Sequence, residues 1–553
     1  MLSAMWKTLH PAPDLSRHGC SPFRQIAESF VLLAVAVVVF RGFGVEGYLI
    51  STGSMAPTLL GYHHRITCPE CSFVYARGTD MGNDVEIAQL VRADLAGDHQ
   101  PSTLTRCPNC GYQGVVTSTL PRTEGDQLLV HKHAYEFRDP RRWEVIVFRN
   151  PGDPRQAYVK RVAGLPGERL RIQDGNVFIN DALARKSYDV IRAMCIPVSI
   201  YENQVETEDP DRQPGWVKTD PASSWTFDSA GLESHSAQAE IGSPISWIGY
   251  RHWIRSGGTH VTDVPLTAWP RELAPLNRST DILRYENGRL RVRGVLTEFD
   301  RNAWRARSDA PDFQQAIERL FEQSHQAPIE DEYAYNAGEE SAGHPVNEFL
   351  ISLSLSEIHG NGRFEIELSD GENIFSAVFR FDSRRVELLK NGDPVPVRSA
   401  VLDAALLRNP ARIDFGLVDH QAVLAVNQRE VVPPFPYERK SPCRPMRKPV
   451  RFGAAELDCR VTHLGLFRDV HYTSFDGQAD REWTLGPDEF FVLGDNSPVS
   501  VDSRAWEDPA VPRSALIGKP LVVHLPSRSR RIRWNGQIHD LRLPDFSRAR
   551  LVR

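Results

Sequence analysis

The stretch that decides the fold lies at residues 157–168 and reads AYVKRVAGLPGE. The tyrosine, valines and alanines around Lys160 include β-branched and aromatic residues that favour an extended strand. The Gly-Leu-Pro-Gly run at 164–167 is typical of a turn, because glycine and proline interrupt regular elements. This stretch therefore predicts a strand that carries one lysine in an apolar neighbourhood and ends in a tight turn.

Two further motifs lie at a distance on either side of that strand. Residues 51–59 read STGSMAPTL, in which Ser54 stands between a glycine and a proline-containing turn. Residues 490–504 read FFVLGDNSPVSVDSR, an apolar strand-like run followed by a polar loop. Each motif alone is weak evidence, because serine and glycine occur in many turns. In this order, however, the three motifs together are highly specific.

The three motifs, in this order behind an apolar amino-terminal segment, resemble type I signal peptidase of the peptidase S26 family. Members of that family are membrane-bound serine proteases that remove signal peptides. The resemblance covers the apolar segment and residues 48–66, 120–186 and 482–525, which is less than half of the chain. It implies a signal-peptidase-type β catalytic core, a Ser/Lys dyad and no cofactor for catalysis.

The resemblance also implies a role for each matching residue. Ser54 would be the nucleophile and Lys160 its general base. The Ser54 backbone N–H and the Thr52 hydroxyl would stabilise the oxyanion, and Ser500 would orient the lysine. The structural ion pair of the same loop would be formed by Asp502 and Arg504.

The substrate is expected to bind as an added β-strand, with small pockets for the side chains at its -1 and -3 positions. The walls of these pockets are predicted to come from Ile50, Leu128 and Val159. One departure from the family pattern is Ser497-Pro498-Val499, which replaces polar and charged residues and leaves the conformation of that loop open.

The dyad makes a specific demand on the lysine. A lysine with an ordinary pKa of about 10.4 is protonated at neutral pH and cannot accept a proton. Burial disfavours the ammonium form and lowers a lysine pKa by up to several units. The apolar neighbours of Lys160 therefore fit a general base that activates a weakly nucleophilic serine hydroxyl.

The amino terminus is predicted to be a single transmembrane signal anchor. An apolar run extends from residue 30 to residue 40, and a helix over residues 26–45 would be about 30 Å long. Lys7, Arg17 and Arg24 precede it, a bias that favours a cytoplasmic amino terminus and a catalytic region on the exported face of the cell membrane. A cleaved signal peptide and a buried core helix are the alternatives.

Two Cys-x-x-Cys knuckles predict a small metal site like that of a zinc ribbon. Their four cysteines are Cys68, Cys71, Cys107 and Cys110. Four thiolates close a tetrahedral zinc sphere and leave no position for chemistry, so the metal would be structural. Two disulfide bridges are the alternative, because an exported chain occupies an oxidising compartment.

A large insertion, residues 187–481, is not required by the Ser/Lys chemistry. A helix is expected near Asp312–Gln323, with an apolar stripe on one side. From residue 348 the pattern alternates: apolar and charged residues interchange over 363–368, and Asp370-Gly371 and Asn391-Gly392 mark hairpin turns. Short strands at this spacing predict an inserted β-sandwich similar in pattern to laminin-G or jelly-roll domains. The insertion's tryptophans are expected to pack in cores rather than bind a ligand.

The chain of 553 residues is thus predicted to be mainly β and divided into segments. These are 1–25 (cytoplasmic), 26–45 (anchor), 46–66, 116–186 and 482–553 (catalytic core, the last with the carboxyl-terminal tail), 67–115 (zinc-ribbon-like insertion) and 187–481 (large insertion). The residues are 41% apolar and 25% charged, which excludes a mostly disordered chain and a polytopic membrane protein.

The predicted partners are signal-peptide-bearing preproteins, membrane lipid and the secretion translocon. A net charge of -6 gives little support for nucleic-acid binding. Arginines at 528, 530, 531 and 533 beside Trp534 form a basic carboxyl-terminal cluster that could meet anionic lipid. Two other functions are considered: a self-cleaving repressor, which would need a helix-turn-helix in place of the anchor, and a catalytically silent anchor that presents the β-sandwich for binding.

Overall fold

The computed structural model describes residues 22–79, 104–117, 120–203, 211, 213–238, 240, 242–253, 261–273, 283–336, 343–403, 410–442, 444–473, 481–534 and 537–552. Most of the predicted cytoplasmic segment, residues 1–21, lies outside them. Cys443 also lies outside them, so the structure does not test the disulfide bridge to Cys459 that the sequence of an exported chain allows. Strands dominate the described part of the chain, which confirms the mainly β class.

The first helix, Pro22–Phe43, occupies most of the predicted anchor segment. Of the helices that the structure describes, none combines the length and the apolar character needed to cross a membrane. The predicted transmembrane span is therefore not supported.

The sheet that positions the motifs is antiparallel and brings distant parts of the chain together. Its strands in spatial order are Val45–Leu49, Gln127–His131, Leu516–Val523, Val145–Arg149, Ala157–Gly164, Glu489–Leu493 and Val511–Pro512, with Arg550–Leu551 beside Leu516–Val523. The predicted strand at 157–164 is confirmed, and the turn after it uses Gly167 at φ 78°, a conformation that favours glycine. The lysine strand thus lies in the middle of this sheet.

Smaller sheets flank it. One has the strands Ala182–Leu183, Asn176–Ile179, Arg169–Gln173 and Glu482–Thr484. The part of the chain around the cysteines forms Val74–Gly78, His63–Thr67 and Arg122–Thr123 in one sheet and Leu104–Arg106 with Gln113–Val116 in another. The basic carboxyl-terminal segment forms a hairpin of Ser527–Trp534 and Gln537–Pro544.

The insertion contains two large antiparallel sheets. The strands of the first are Trp225–Phe227, Gly231–Ser234, Asp458–Arg468, Phe349–His359, Ala411–Val418, Gln421–Val426 and Arg429–Glu430, with Ile196–Ile200 and Phe435–Pro436 at the side. Those of the second are Trp216–Lys218, Ser246–Tyr250, Val450–Ala455, Arg363–Ser369, Ile374–Arg380, Arg385–Lys390 and Arg398–Val401. Side chains from both sheets, including the fully buried Trp216 and Phe415, form one hydrophobic core.

Alternation in the sequence correctly located several of these strands. Phe364, Ile366 and Leu368 are buried in the strand Arg363–Ser369, whose other positions are half-buried. That strand pairs with Ile374–Arg380 across the predicted Asp370-Gly371 turn. Both predictions follow from the two-residue period of side chains in a strand.

Two helices of the insertion, Glu298–Arg305 and Pro311–His325, share a core with a small third sheet, formed by Val261–Pro265, Arg289–Arg293 and Leu283–Glu286. The predicted helix is observed at Pro311–His325, and its apolar stripe is buried. The shorter helices are Ala134–Phe137, Tyr188–Met194 and Glu298–Arg305. Trp253 and Trp269 pack in this core, as expected for tryptophans between elements.

Candidate active site

Lys160 lies inside the protein, on the strand that the sequence predicted. Its strand pairs with Val145–Arg149, where Ile146 is the residue directly opposite. The lysine side chain is buried and its Nζ lies 3.1 Å from Ser500 Oγ, to which it donates a hydrogen bond. The structure therefore brings the predicted general base to the predicted lysine-orienting serine, 340 positions away in the sequence.

Ser54 lies in a loop that is held from both sides. Apolar side chains on either side of it, Ile50, Met55 and Leu59, are buried in one core cluster. The Ser54 carbonyl oxygen accepts a hydrogen bond of 3.1 Å from the backbone N–H of Asn496. Ser54 is itself buried at 9% exposure, so the loop that carries it is packed against the carboxyl-terminal motif.

Gly494 is the point at which the motifs meet. A Cβ at this position would collide with Ser500 Oγ and with the Ser54 carbonyl oxygen. The absence of a side chain at 494 allows the loop of Ser500 and the loop of Ser54 to approach the same point. This close approach explains why a glycine precedes Asp495-Asn496 in the motif.

Asp502 and Arg504 form the predicted ion pair, fully buried. Arg504 Nε donates to Asp502 Oδ1 at 2.9 Å and its terminal nitrogen donates to Oδ2 at 2.7 Å. Burial alone would raise the pKa of the Asp502 carboxyl, but the charges of Arg504 and Lys160 outweigh it and hold that pKa below its usual value. The Asp502 carboxylate also accepts a hydrogen bond of 2.9 Å from the Gly494 N–H, which holds the glycine in place.

The Ser497-Pro498-Val499 departure is accommodated as a short 3-10 turn. Ser497 Oγ accepts hydrogen bonds of 2.9 Å from Arg504 and 2.8 Å from the Thr473 N–H. The turn leaves Ser500 within reach of Lys160. Contacts of Ser497 therefore stabilise this loop, whose conformation the sequence left open.

The remaining predicted residues lie close by. Thr52 is half-buried in the Ser54 loop. Ile50 and Leu128 belong to one apolar cluster against which the half-buried Val159 packs. Leu128 is fully buried, so it supports the cluster from beneath rather than facing solvent.

Sequence reasoning missed a second set of residues around the site. Arg161 and Asp495 form a fully buried pair through hydrogen bonds of 2.8 and 2.6 Å. From the large insertion, Tyr333 donates to the Asp495 carbonyl oxygen at 2.9 Å, and Asn336 hydrogen-bonds to Asn496. The sequence did offer one indication for Arg161 and Asp495, because each lies inside one of the motifs, at 157–168 and 490–504. The insertion residues have no sequence signal of this kind.

Comparison with known proteins supports the resemblance inferred from the motifs. The family described as signal peptidase, peptidase S26 matches residues 113–213 and 418–525. Over these segments the chain is similar to the type I signal peptidases. These matched segments contain Lys160, Ser500 and the Asp502–Arg504 pair, whereas Ser54 precedes them.

Individual signal peptidases match over short regions. Signal peptidase I of Pseudomonas fluorescens is 42% identical over 164 residues, which are 29% of this chain and 40% of that protein. Probable signal peptidase I-2 of Synechocystis sp. is 39% identical over 69 residues, 11% of this chain and 31% of that protein. The chain therefore spans about a third to two fifths of the length of these curated relatives.

Solved structures resemble this chain only remotely. The carbohydrate binding module CBM66 from Bacillus subtilis has a TM-score of 0.22 and 8% identity, over 46% of this chain and 95% of that one. A galectin-like protein of unknown function from Bacillus subtilis has a TM-score of 0.18 and 9% identity, over 22% of this chain and 71% of that one. Likeness at this level carries no functional argument.

The four cysteines that the sequence predicts to bind a metal converge in the structure. Their sulfur atoms all lie within 4.8 Å of one another, with Cys68 and Cys110 Sγ 3.6 Å apart and Cys71 and Cys107 Sγ 3.7 Å apart. Neither separation is a disulfide, whose sulfurs are about 2.05 Å apart, and all four cysteines are free. Sulfurs at tetrahedral corners 2.3 Å from zinc would be about 3.8 Å apart, so the group fits such an ion.

Proposed function

We propose that this protein is a serine endopeptidase that removes amino-terminal signal peptides from exported preproteins. The single observation that carries the proposal is the hydrogen bond between Lys160 Nζ and Ser500 Oγ, beside the packed Ser54 loop. Motifs more than a hundred residues apart converge there, and the matched family segments contain the lysine and its serine partner.

In the proposed reaction, the uncharged Lys160 amine takes the proton from Ser54 Oγ as that oxygen attacks the scissile carbonyl carbon. The Ser54 N–H and the Thr52 hydroxyl stabilise the oxyanion of the tetrahedral intermediate. The resulting ammonium returns the proton to the leaving amine, which frees the mature protein. Water, deprotonated by the same amine, then hydrolyses the acyl-enzyme.

The buried ion pair next to the lysine supports this role. Because Arg504 holds the Asp502 carboxylate in two hydrogen bonds, its positive charge offsets part of the negative charge that would otherwise stabilise a Lys160 ammonium. Lys160 is 3% exposed, so its charged form also loses hydration. Both effects favour the neutral amine that the reaction needs.

The edges of the sheet support substrate binding by strand addition. The strand Val45–Leu49 pairs with Gln127–His131 and ends the described sheet on that side. In the lysine strand, residues 157–161 pair with Val145–Arg149, whereas Glu489–Leu493 pairs only from Arg161 onward. An extended peptide beside residues 157–160 would pass Lys160 and the cluster of Ile50 and Val159, where small -1 and -3 side chains would fit.

The test is cleavage of a purified preprotein by the full chain and its variants. Ser54→Ala and Lys160→Ala are each expected to abolish cleavage. Ser51→Ala and Lys132→Ala are matched controls, because both residues lie on exposed or half-exposed surface, and they should retain it. Equal cleavage by all five proteins rejects the Ser54/Lys160 dyad. No cleavage by the wild type rejects the proposed activity and favours a catalytically silent binding protein.

We also propose a structural zinc ion at the four cysteines, held as in a zinc ribbon. Purified protein should contain about one zinc per chain. Cys71→Ser should lose the metal, whereas Cys459→Ser, which removes a buried cysteine of the insertion, should retain it. Zinc well below one per chain in the wild type rejects this site.

The first helix is proposed to attach the protein to the cell membrane, with the catalytic region on the exported face. Four neighbouring apolar side chains of this helix are 61% to 71% exposed, namely Phe30, Val31, Leu32 and Leu33. An exposed apolar surface of this kind marks a site of contact with a membrane or a partner. Cell fractionation of the full chain and of a variant with Phe30→Ser and Leu32→Ser tests this. Equal release of both proteins into the supernatant contradicts the attachment. Membrane lipid and the secretion translocon are the corresponding proposed partners.

The large insertion is proposed to be a β-sandwich that acts as a structural or partner-binding module. The support is the single hydrophobic core shared by its two sheets. Trp216 and Trp225 are fully buried in it, which favours packing over ligand stacking for these two residues.

A further inference from the structure

A short piece of the large insertion, residues 332–336, reaches into the candidate active site. Its flanks belong to the insertion: the helix Pro311–His325 precedes it and the strand Phe349–His359 follows. Tyr333 donates to the Asp495 carbonyl oxygen at 2.9 Å, and Arg468 donates to the Glu332 carbonyl oxygen at 2.7 Å. We call residues 332–336 the bridge segment, because it links the insertion to the loops of the site.

Asn336, the last residue of the bridge segment, makes two reciprocal hydrogen bonds with Asn496. Asn336 Nδ2 donates to Asn496 Oδ1 at 2.9 Å, and Asn496 Nδ2 donates to Asn336 Oδ1 at 2.6 Å. This pairing determines the orientation of the Asn496 amide, since a flipped amide would set donors against donors.

The oriented Asn496 holds the backbone of the Ser54 loop. Its Nδ2 also donates to the Gly53 carbonyl oxygen at 3.0 Å, and its backbone N–H donates to the Ser54 carbonyl oxygen at 3.1 Å. The Gly53 carbonyl and the Ser54 N–H belong to the same planar peptide group. A hydrogen bond that holds that carbonyl therefore also determines where the Ser54 N–H points.

Tyr335 holds the same loop by packing. A Cβ at Gly53 or at Gly78 would collide with the Tyr335 ring, so the ring lies directly against both backbones. Tyr335 Oη donates to the Tyr62 carbonyl oxygen at 2.9 Å, and the Gly78 N–H donates to the Tyr335 carbonyl oxygen at 2.8 Å. The bridge segment thus contacts the Ser54 loop directly through the Tyr335 ring and indirectly, by way of Asn496, through the Asn336 amide.

We propose that Asn336 is a positioning residue for the nucleophile loop, acting through Asn496 on the Gly53–Ser54 peptide group. The inference rests on the proposed function, in which the Ser54 N–H is an oxyanion donor. Such a donor is effective only when it is oriented before the reaction starts. The insertion would then complete the catalytic machinery, beyond any role as a separate binding module.

The experiment measures kcat and KM for preprotein cleavage by the full chain. Losing one oxyanion donor outright lowers kcat by about 10²- to 10³-fold, so Asn336→Ala, which only loosens the donor, should lower kcat by roughly 10- to 100-fold. KM should change little, because the lost interaction serves the transition state rather than substrate binding. Asn336→Asp keeps the size and the acceptor for Asn496 Nδ2 and should recover part of kcat.

Asn203→Ala is the matched control. Asn203 is another asparagine of the insertion that contacts the remainder of the protein, and its Nδ2 donates to the Cys71 carbonyl oxygen at 2.9 Å, in the cysteine knuckle. This variant should keep the wild-type kcat. A normal kcat in both folded Asn336 variants, or an equal loss in Asn203→Ala, overturns the inference.

The outcomes separate this inference from the proposed function. If the wild type cleaves nothing, or if Ser54→Ala cleaves as well as the wild type, the proposed function fails. If the wild type is active and Ser54→Ala is inactive while the Asn336 variants keep kcat, only the positioning role fails. Thermal unfolding of each variant identifies those that fold. If Asn336→Ala does not fold, the similarly sized Asn336→Leu decides, because it removes both hydrogen bonds to Asn496 and unchanged kcat in it contradicts the role.

Discussion

Removing the charge of Arg504 is expected to shift the pH dependence of cleavage. In the wild type, Arg504 donates to both oxygens of Asp502, at 2.9 and 2.7 Å, and cancels the charge of a carboxylate that also interacts with Lys160. In Arg504→Gln that carboxylate is left to stabilise the Lys160 ammonium. A stabilised ammonium has a higher pKa, so the fraction of neutral lysine at neutral pH falls.

The expected shift in the Lys160 pKa is large because Lys160, Asp502 and Arg504 are all buried, where charges are poorly screened by water. A carboxylate within about 4–6 Å changes the pKa of an ionisable neighbour by about 1–3 units when other charges do not offset it. The acid limb of the kcat/KM profile should therefore move to higher pH by about 1–3 units, with roughly a tenfold loss of rate per unit below the new limb. Rate at alkaline pH should recover.

A double variant and a surface control make this prediction decisive. Breaking a buried ion pair costs about 3–5 kcal/mol, so folding of Arg504→Gln is verified by thermal unfolding. Asp502→Asn with Arg504→Gln removes both charges and should return the limb toward its wild-type position. Arg513→Gln removes a partly exposed arginine and should leave it unchanged. Two results would refute the idea that Arg504 offsets the Asp502 charge. One is an unshifted acid limb in folded Arg504→Gln, and the other is an equally large shift in the double variant.

Three further outcomes are expected. Gly494→Ala should abolish preprotein cleavage, because the new Cβ would collide with two loops of the site. Gly152→Ala should cleave normally, because its Cβ would make only an ordinary van der Waals contact of 3.7 Å with Asn150. Normal cleavage by Gly494→Ala contradicts the close approach. Burial and neighbouring carboxylates raise the pKa of Glu348 from 4.5 to about 8, so the folded chain keeps a proton that the unfolded chain releases. The free energy of unfolding, measured by chemical denaturation, should therefore fall as pH rises from about 4.5 to about 8, and Glu348→Gln should make this fall smaller. The same pH dependence in both proteins argues against the raised pKa of Glu348. Trp216→Ala should lower the free energy of unfolding by about 3–5 kcal/mol, because this side chain is fully buried. Phe227→Ala is the control, since Phe227 is partly exposed. A loss in Trp216→Ala no larger than the loss in Phe227→Ala would contradict the shared core.

Sequence patterns located many elements because their causes are local. The strand around Lys160, the turn after it and the alternation at 363–368 all follow from neighbouring residues, and the structure confirms them. The family resemblance rested on motifs that are each continuous in sequence. The membrane span was a weaker prediction, because a short apolar run does not determine whether a helix can cross a bilayer.

Residues in the site that belong to no motif could not be predicted. Asn336 and Asn496 are 160 positions apart, and no pattern in the sequence indicates which residue the amide of an asparagine will hydrogen-bond to. Nor does a glycine reveal that a tyrosine ring from an insertion will lie against it, as Tyr335 lies against Gly53. Such contacts depend on how separately formed sheets pack.

By itself, then, the sequence determined the local elements and the motifs that resemble a known family and suggest candidate reacting groups, because each is encoded in consecutive residues. Only the tertiary structure decided that Lys160 meets Ser500, that Arg161 pairs with Asp495 and that the insertion contacts the Ser54 loop. The physical reason is that hydrogen bonds and close packing act over a few ångströms. Which residues come within that distance is settled by the fold as a whole.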